Sequence, residues 1–240
     1  MTSFSNYSDI LLDAFKSSNR SHDIAIKKKD ILVELIDHYG TDVESILFVG
    51  FSPGILELDY DNVFVTEVSD EVVAFIAQER PKVKYLDYDS CLSSRFDVVV
   101  AVDEYLTFAQ SDEDQRESVK FLCSITNKFI ITTLRDYKNQ DYKDREFSQP
   151  IVLRNSSQRR IYFEHYEYDS LDRNNSSGTC YIVADDSLDV IGPFARRNMF
   201  FKQLAKFSLD AGASSFLVHK NLMHKSIVKK NYEHIITIKF

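Results

Sequence analysis

Short apolar runs alternate with helix-spaced patterns through the first half of the chain. Ile46–Val49, Asn62–Thr66, Val83–Asp87, Phe96–Val102 and Lys128–Thr133 each read as a short strand. Phe96-Asp-Val-Val-Val-Ala-Val102 is the strongest of them, a β-branched run of the kind buried on both faces of a parallel sheet. Between the strands the apolar spacing becomes helical. Asp30–Tyr39 is apolar at Leu32, Leu35, Ile36 and Tyr39, and Gly40 is expected to end that helix in the left-handed conformation. Ser69 caps a helix running to Arg80, where Pro81 stops it. Ser111-Asp-Glu-Asp114 opens another as a capping box, with Val119, Leu122 and Cys123 facing inward. Ahead of all these, a helix from Ser8 to Lys16 is expected with Ser8 as its cap, followed by a polar spacer from Ser17 to Asp23.

The alternation lapses between residues 138 and 192. Arg160–Tyr168 alternates, Asp172–Gly178 is a turn cluster, and Thr179–Ala184 returns, which predicts an inserted β-hairpin before the last helix. An insert of this length is expected to have a task, and one reading is a lid whose Arg159, Tyr162, Tyr166 or Tyr168 contacts a substrate. A structural hairpin and a homodimer surface are the plain alternatives. Pro193 then opens an amphipathic helix over Phe194–Ala211, ended by Gly212. Ser215–His219 and Glu233–Phe240 follow as two strands around a basic loop, His224–Lys230. The chain thus reads as one domain over 1–240, with N-terminal helices in 1–40 and the insert at 138–192.

The chemistry is concentrated in Ser45-Ile-Leu-Phe-Val-Gly-Phe-Ser-Pro-Gly54, an apolar strand breaking into a tight turn. Two of the chain's six glycines stand within this turn, where backbone must bend sharply or approach something closely. The next strand ends in Glu67, where α/β nucleotide folds place the carboxylate that grips ribose hydroxyls. Val49-Gly-Phe-Ser-Pro-Gly54 followed by Thr66-Glu-Val-Ser69 resembles the S-adenosylmethionine (SAM) site of class I methyltransferases. The likeness covers roughly residues 30–137 and 194–240, by order of elements more than by strict motifs. Ser52 stands where that family usually has the middle glycine of its turn, and Phe48 where an acidic residue is often found. The segment after the turn leaves room for a helix of only one or two turns.

The resemblance implies a Rossmann-like, seven-stranded, mostly parallel sheet flanked by helices and finished by a C-terminal antiparallel strand pair. It implies SAM as cofactor, with S-adenosylhomocysteine as product. In that arrangement Gly50, Phe51, Ser52 and Gly54 would bring backbone to the amino-acid part of the cofactor, and Glu67 with Val68 would meet the ribose. Asp89 and Ser90 would lie at the adenine, Asp103 near the ammonium group, and Glu104 or Tyr105 would be available as a base. The insert would cover the reacting end.

Charge and composition narrow the alternatives. Residues 1–150 carry 16 basic and 28 acidic side chains and residues 151–240 carry 13 and 9, so the first part is −12 and the last +4. An acidic body disfavours sequence-blind nucleic-acid binding, though the positive part could meet an anionic substrate. No apolar run is long enough to span a membrane, and the three separated cysteines (Cys91, Cys123 and Cys180) argue against disulfides and a zinc knuckle, which predicts a cytoplasmic protein. No Asn-Pro-Pro-Tyr or Asp-Pro-Pro-Tyr follows the fourth strand, and no tyrosine has a lysine four residues on as a short-chain dehydrogenase would require. Histidines show no metal-like grouping. A SAM-dependent methyltransferase of an unidentified acceptor is therefore expected. The alternatives are a methyltransferase-fold protein that has lost chemistry and serves binding or assembly, and a nucleic-acid methyltransferase.

Overall fold

A computed structural model describes residues 3–17, 19–102, 105–135, 145–148, 150–154, 159–169, 174–184, 186–219 and 233–240. Its centre is a seven-stranded sheet. The five short strands form its parallel part: β1 (Ile46–Val49), β2 (Val63–Thr66), β3 (Lys84–Tyr85), β4 (Phe96–Ala101) and β5 (Thr126–Arg135). β11 (Ser215–His219) and β12 (Glu233–Lys239) close it as the expected antiparallel pair, in the order β11-β12-β5-β4-β1-β2-β3. β12 sits inside the sheet, in antiparallel register with β5 from Glu233 opposite Arg135 to Lys239 opposite Phe129. Strand order reverses between β1 and β4, and in open α/β sheets the crevice at the carboxyl ends of such strands is where ligands bind.

Both sheet faces are covered because β1 and β4 are apolar at every position bar Asp97. Leu47, Val99, Ile130 and Ile236 look to one side, where α5 (Asp112–Ser124) and α6 (Phe201–Asp210) pack. Phe48, Val98, Val100 and Ile131 look to the other, against α2 (Asn19–Tyr39) and α3 (Asp70–Glu79). Asp97 accepts from the Glu44 backbone N–H at 2.7 Å and pairs with Lys128 at 3.5 Å, so its carboxylate is compensated. Ser69 and Ser111 cap α3 and α5 as expected, accepting from Val72 and Asp114 backbone N–H groups.

Several boundaries differ from the sequence reading for identifiable reasons. Gly40 does not take positive φ; the left-handed residue is Asp42 at φ 54°. Gly40 is instead a close approach, since a Cβ there would stand 2.3 Å from Val43 Cγ2 and 2.8 Å from the Ile36 carbonyl oxygen. The polar spacer does not form either: α2 already begins at Asn19, and α1 runs Ser3–Ser17, which places Ser8 inside a helix instead of at its cap. The helix expected over Phe194–Ala211 is two elements. Residues up to Arg197 belong to β10 (Leu188–Arg197), where Phe194 and Arg196 alternate inward, and α6 begins only at Phe201.

The expected hairpin is the middle of a larger sheet. β8 (Arg159–Tyr168) and β9 (Asn175–Val183) pair antiparallel, β10 lies beyond β9, and β6 (Arg145–Phe147) and β7 (Ile151–Arg154) share the other side of β8. The Asn175–Gly178 part of the expected turn cluster is strand. The sheet is tied to the body by Gln115 of α5, whose amide donates to the Arg197 carbonyl at 2.7 Å, and by Arg197 Nε to Asp112 Oδ1 at 2.6 Å. Its inner face packs on α1 through Ile10, Ala14, Tyr162, Cys180, Ile182 and Phe194. Among the described residues no helix is long and apolar enough to cross a membrane.

Candidate functional site

β1 delivers the turn. Gly50 adopts φ 83°, a conformation costly for any residue with a Cβ, and its N–H donates to the Thr66 carbonyl at 2.9 Å, locking the turn to the end of β2. The chain then enters a single 3-10 turn, Pro53–Glu57, the short segment that the sequence spacing allowed. Ser52 is 2 % exposed and its hydroxyl has no hydrogen-bond partner. An orphaned buried hydroxyl costs about 1–3 kcal/mol, so it marks a place prepared for a polar group. At Gly54 a Cβ would lie 3.5 Å from the Lys29 backbone nitrogen and 3.7 Å from the Ala25 carbonyl oxygen, ordinary contacts with α2.

Glu67 stands at the tip of β2, 5 % exposed. Its Oε1 accepts the backbone N–H groups of Val68 at 2.6 Å and Ser69 at 3.2 Å, and the Phe51 N–H also reaches the carboxylate. Its Oε2 accepts the Ser8 hydroxyl of α1 at 3.1 Å. Burial pushes the carboxyl above its usual range, and those donors pull it partly back. Asp9, next to Ser8, accepts from the Ser69 hydroxyl, so α1 is fastened across the end of β2 by two consecutive side chains.

Apolar side chains are left at the surface here: Val68 and Tyr85 beside Glu67, and Tyr88 at the start of the next helix, are each about half exposed or more. The Tyr85 hydroxyl meets the Glu67 carbonyl at 3.5 Å, and Tyr88 stacks on Phe121 with centroids 4.6 Å apart. These are platforms that a flat base could use. Asp89 and Ser90 lie in the first turn of α4 (Tyr88–Leu92), Asp89 exposed and Ser90 partly buried; the Ser90 N–H is held by the Asp87 carboxylate at 2.7 Å, which makes Asp87 the cap of that helix. Asp103 and Glu104 lie outside the described residues. Tyr105 follows them, and burial raises its phenol above the usual value.

A second polar cluster faces α1 from the inserted sheet. Tyr162, Glu164 and Tyr166 alternate onto one face of β8, and both phenols donate to the Glu164 carboxylate. Cys180 lies 3.7 Å from the Tyr162 hydroxyl, and Arg135, at the end of β5, sits over the Tyr166 ring at 4.7 Å. Glu164 is raised by burial, with Tyr162 and the Arg135 charge lowering it in part. Arg196 of β10 is buried against the rings of Tyr7, Phe108 and Tyr166, each about 5 Å away. Gly178 makes room for it, since a Cβ there would come 3.1 Å from Arg196 Nε. Tyr168 is at the edge, donating to Glu146 at 3.3 Å, and the Arg159 side chain lies outside the described residues.

The two clusters meet on one helix: Ser8 holds Glu67, and the preceding Tyr7 packs on Phe108, Phe194 and Arg196. Glu164, Arg135 and Arg196 were not singled out by the sequence, and Ser8 was read only as a helix cap. For Glu164 a signal existed, because strict alternation places it between the two tyrosines that were. For Ser8 there was none, since its partner is 59 residues away.

Neither a family model nor a curated protein matches this sequence. Solved structures do match the fold. DesVI from Streptomyces venezuelae superposes with a TM-score of 0.71 at 10% identity, covering 91% of this chain and 92% of that one. SAM-bound CalS10, an amino pentose methyltransferase from Micromonospora echinaspora, gives 0.68 at 9% identity over 89% and 90%. The CcbJ methyltransferase from Streptomyces caelestis gives 0.65 at 12% identity over 89% and 88%. The fold is that of the class I SAM-dependent methyltransferases.

Proposed function

We propose that this protein is a SAM-dependent methyltransferase acting on a small molecule that bears a nucleophilic amine or hydroxyl. The observation that carries the reading is the Gly50 turn with its orphaned Ser52 hydroxyl, set beside a buried Glu67 at the point where strand order reverses. Gly50 and Ser52 would hold the amino-acid part of SAM, Glu67 the ribose, and Val68, Tyr85 and Tyr88 the base. When bound, SAM supplies a methyl group on a sulfonium, and its transfer is an in-line displacement that needs alignment and exclusion of water more than strong acid–base groups.

The residues of this chain provide both. In this reading α1 and the inner face of the inserted sheet, whose Tyr7, Phe108, Tyr162 and Phe194 pack together, would cover the crevice and keep water out. Glu164 lies among them with two phenols donating to it, a group able to orient an acceptor amine or hydroxyl and take up its proton at a carboxylate oxygen. An amine-bearing sugar fits this class, as CalS10 acts on an amino pentose. One observation favours the alternative of a binding protein that has kept the fold alone: the Glu67 carboxylate already receives the Ser8 hydroxyl where a ribose hydroxyl would donate.

A thermal melt with S-adenosylhomocysteine, NAD or ATP, repeated on Glu67→Ala, separates the two. Ligand at a hundred times its dissociation constant adds about 2.7 kcal/mol, a rise of roughly 5–10 °C for a chain of this size. A rise for S-adenosylhomocysteine alone, lost in Glu67→Ala, supports the methyltransferase; no rise at millimolar ligand rejects it.

A further inference from the structure

The inserted sheet has a second face, turned away from α1. Register fixes which side chains share it. Val190, Tyr181 and Phe163 form one row across β10, β9 and β8. Leu188, Val183, Ile161 and Val152 form the next, ending on β7, and Phe147 with His165 and Thr179 forms a third from β6. The aromatic members already stack on one another: Phe147 on His165 with centroids 4.5 Å apart and 14° between planes, Phe163 on Tyr181 at 5.0 Å and 14°. Yet Phe147 is 62% exposed, Leu188 57% and Val190 55%. Antiparallel sheets with a solvated face carry polar side chains there; this one carries apolar and aromatic ones.

We infer that this face is the contact between two copies of the chain, packed sheet on sheet. The occupant follows from size, charge and edge geometry. Four strand widths by the seven residues of 161–167 give a face of roughly 19 by 24 Å, about 450 Å² in projection. Two such faces with their rims bury on the order of 1,000 Å², the lower limit of a specific interface. Its rim carries both signs of charge in one place, Arg145 Nε 3.2 Å from Glu167 Oε1 and both exposed, so that an identical patch presents a matching pair after a two-fold rotation. Pairing by strand edges is blocked on one side, where the β10 register breaks between Ile191 and Phe194 around Pro193. Facing sheets would bury the aromatic rows at the usual spacing of about 10 Å. The inference does not depend on the methyltransferase reading.

Sedimentation of the full chain tests it, from about 1 to about 100 µM, the range in which an interface this small associates. The mass should rise with concentration from the 27.8 kDa of one chain to twice that value. Phe147→Asp and Val190→Asp, at opposite ends of the face and both exposed, should each return it to one chain without lowering the melting temperature by more than a degree or two. If one variant fails to fold, the other decides. A wild-type chain that stays at 27.8 kDa throughout overturns the inference, as does a dimer that both variants leave intact. A monomer that instead floats with phosphatidylcholine vesicles, and loses this in the variants, assigns the face to lipid and also overturns it.

Discussion

Ser8→Ala is the most informative single substitution. In the ligand-free protein the Ser8 hydroxyl donates to Glu67 Oε2 at 3.1 Å in a buried setting, and the Val68, Ser69 and Phe51 N–H groups supply the other donors to that carboxylate. A carboxylate has about four lone-pair sites, so a ribose hydroxyl can bind Glu67 only by displacing Ser8. Hydrogen bonds to charged groups contribute about 1.5–3 kcal/mol; taking 2, the variant should melt roughly 4–8 °C lower without ligand. With S-adenosylhomocysteine the displaced bond no longer has to be broken. The variant should bind up to about 30-fold more tightly and gain more from saturating ligand than the wild type does. Calorimetric titration and melts on the same samples give both quantities. Weaker binding in Ser8→Ala would show that Ser8 helps to hold the ligand, and an unchanged ligand-free melt would show that the bond contributes nothing; either result refutes the competition.

Two further outcomes follow from the same geometry. Glu164 has its folded-state pKa raised by burial, so between its unfolded value and that raised value the native state binds more protons than the unfolded one; stability falls as pH rises through this window, by at most about 1.4 kcal/mol per pH unit, and a pH series of urea melts on Glu164→Gln should lose that slope. Gly50→Ala forces a Cβ onto a residue at φ 83°, and should cost about 1–2 kcal/mol in a urea melt and abolish the melting rise with S-adenosylhomocysteine, whereas Gly54→Ala, whose Cβ meets only ordinary contacts, should keep both.

The parallel core was legible because its information is local. Ile46–Val49 and Phe96–Ala101 are apolar runs bounded by turn residues, and Ser69 and Ser111 announce their helices within four residues. Glu67 was legible for the same reason, through its spacing from Gly50. Phe194–Arg197 was misread because Pro193 is equally at home opening a helix or sitting at a bulge, and the deciding contact, Arg196 lying over Gly178, is remote in sequence. Ser8 shows the same limit: a serine ahead of an apolar pattern signals a cap, and only the fold reveals that its hydroxyl is required by a carboxylate on another element.

The place of β12 inside the sheet bears on how the protein is made. β5 offers one edge to β4 at once, but its other edge pairs with residues 233–239, about a hundred positions later. Translation at about 5–20 residues per second leaves that edge open for roughly 5–20 s while the whole inserted sheet is synthesised. Through that interval Phe129, Ile130 and Ile131 sit on a strand with unpaired backbone, the condition in which chains associate wrongly. A ribosome that pauses before residue 233 would therefore hold an aggregation-prone nascent chain, and chaperone capture of this protein should peak between the synthesis of β5 and of β12.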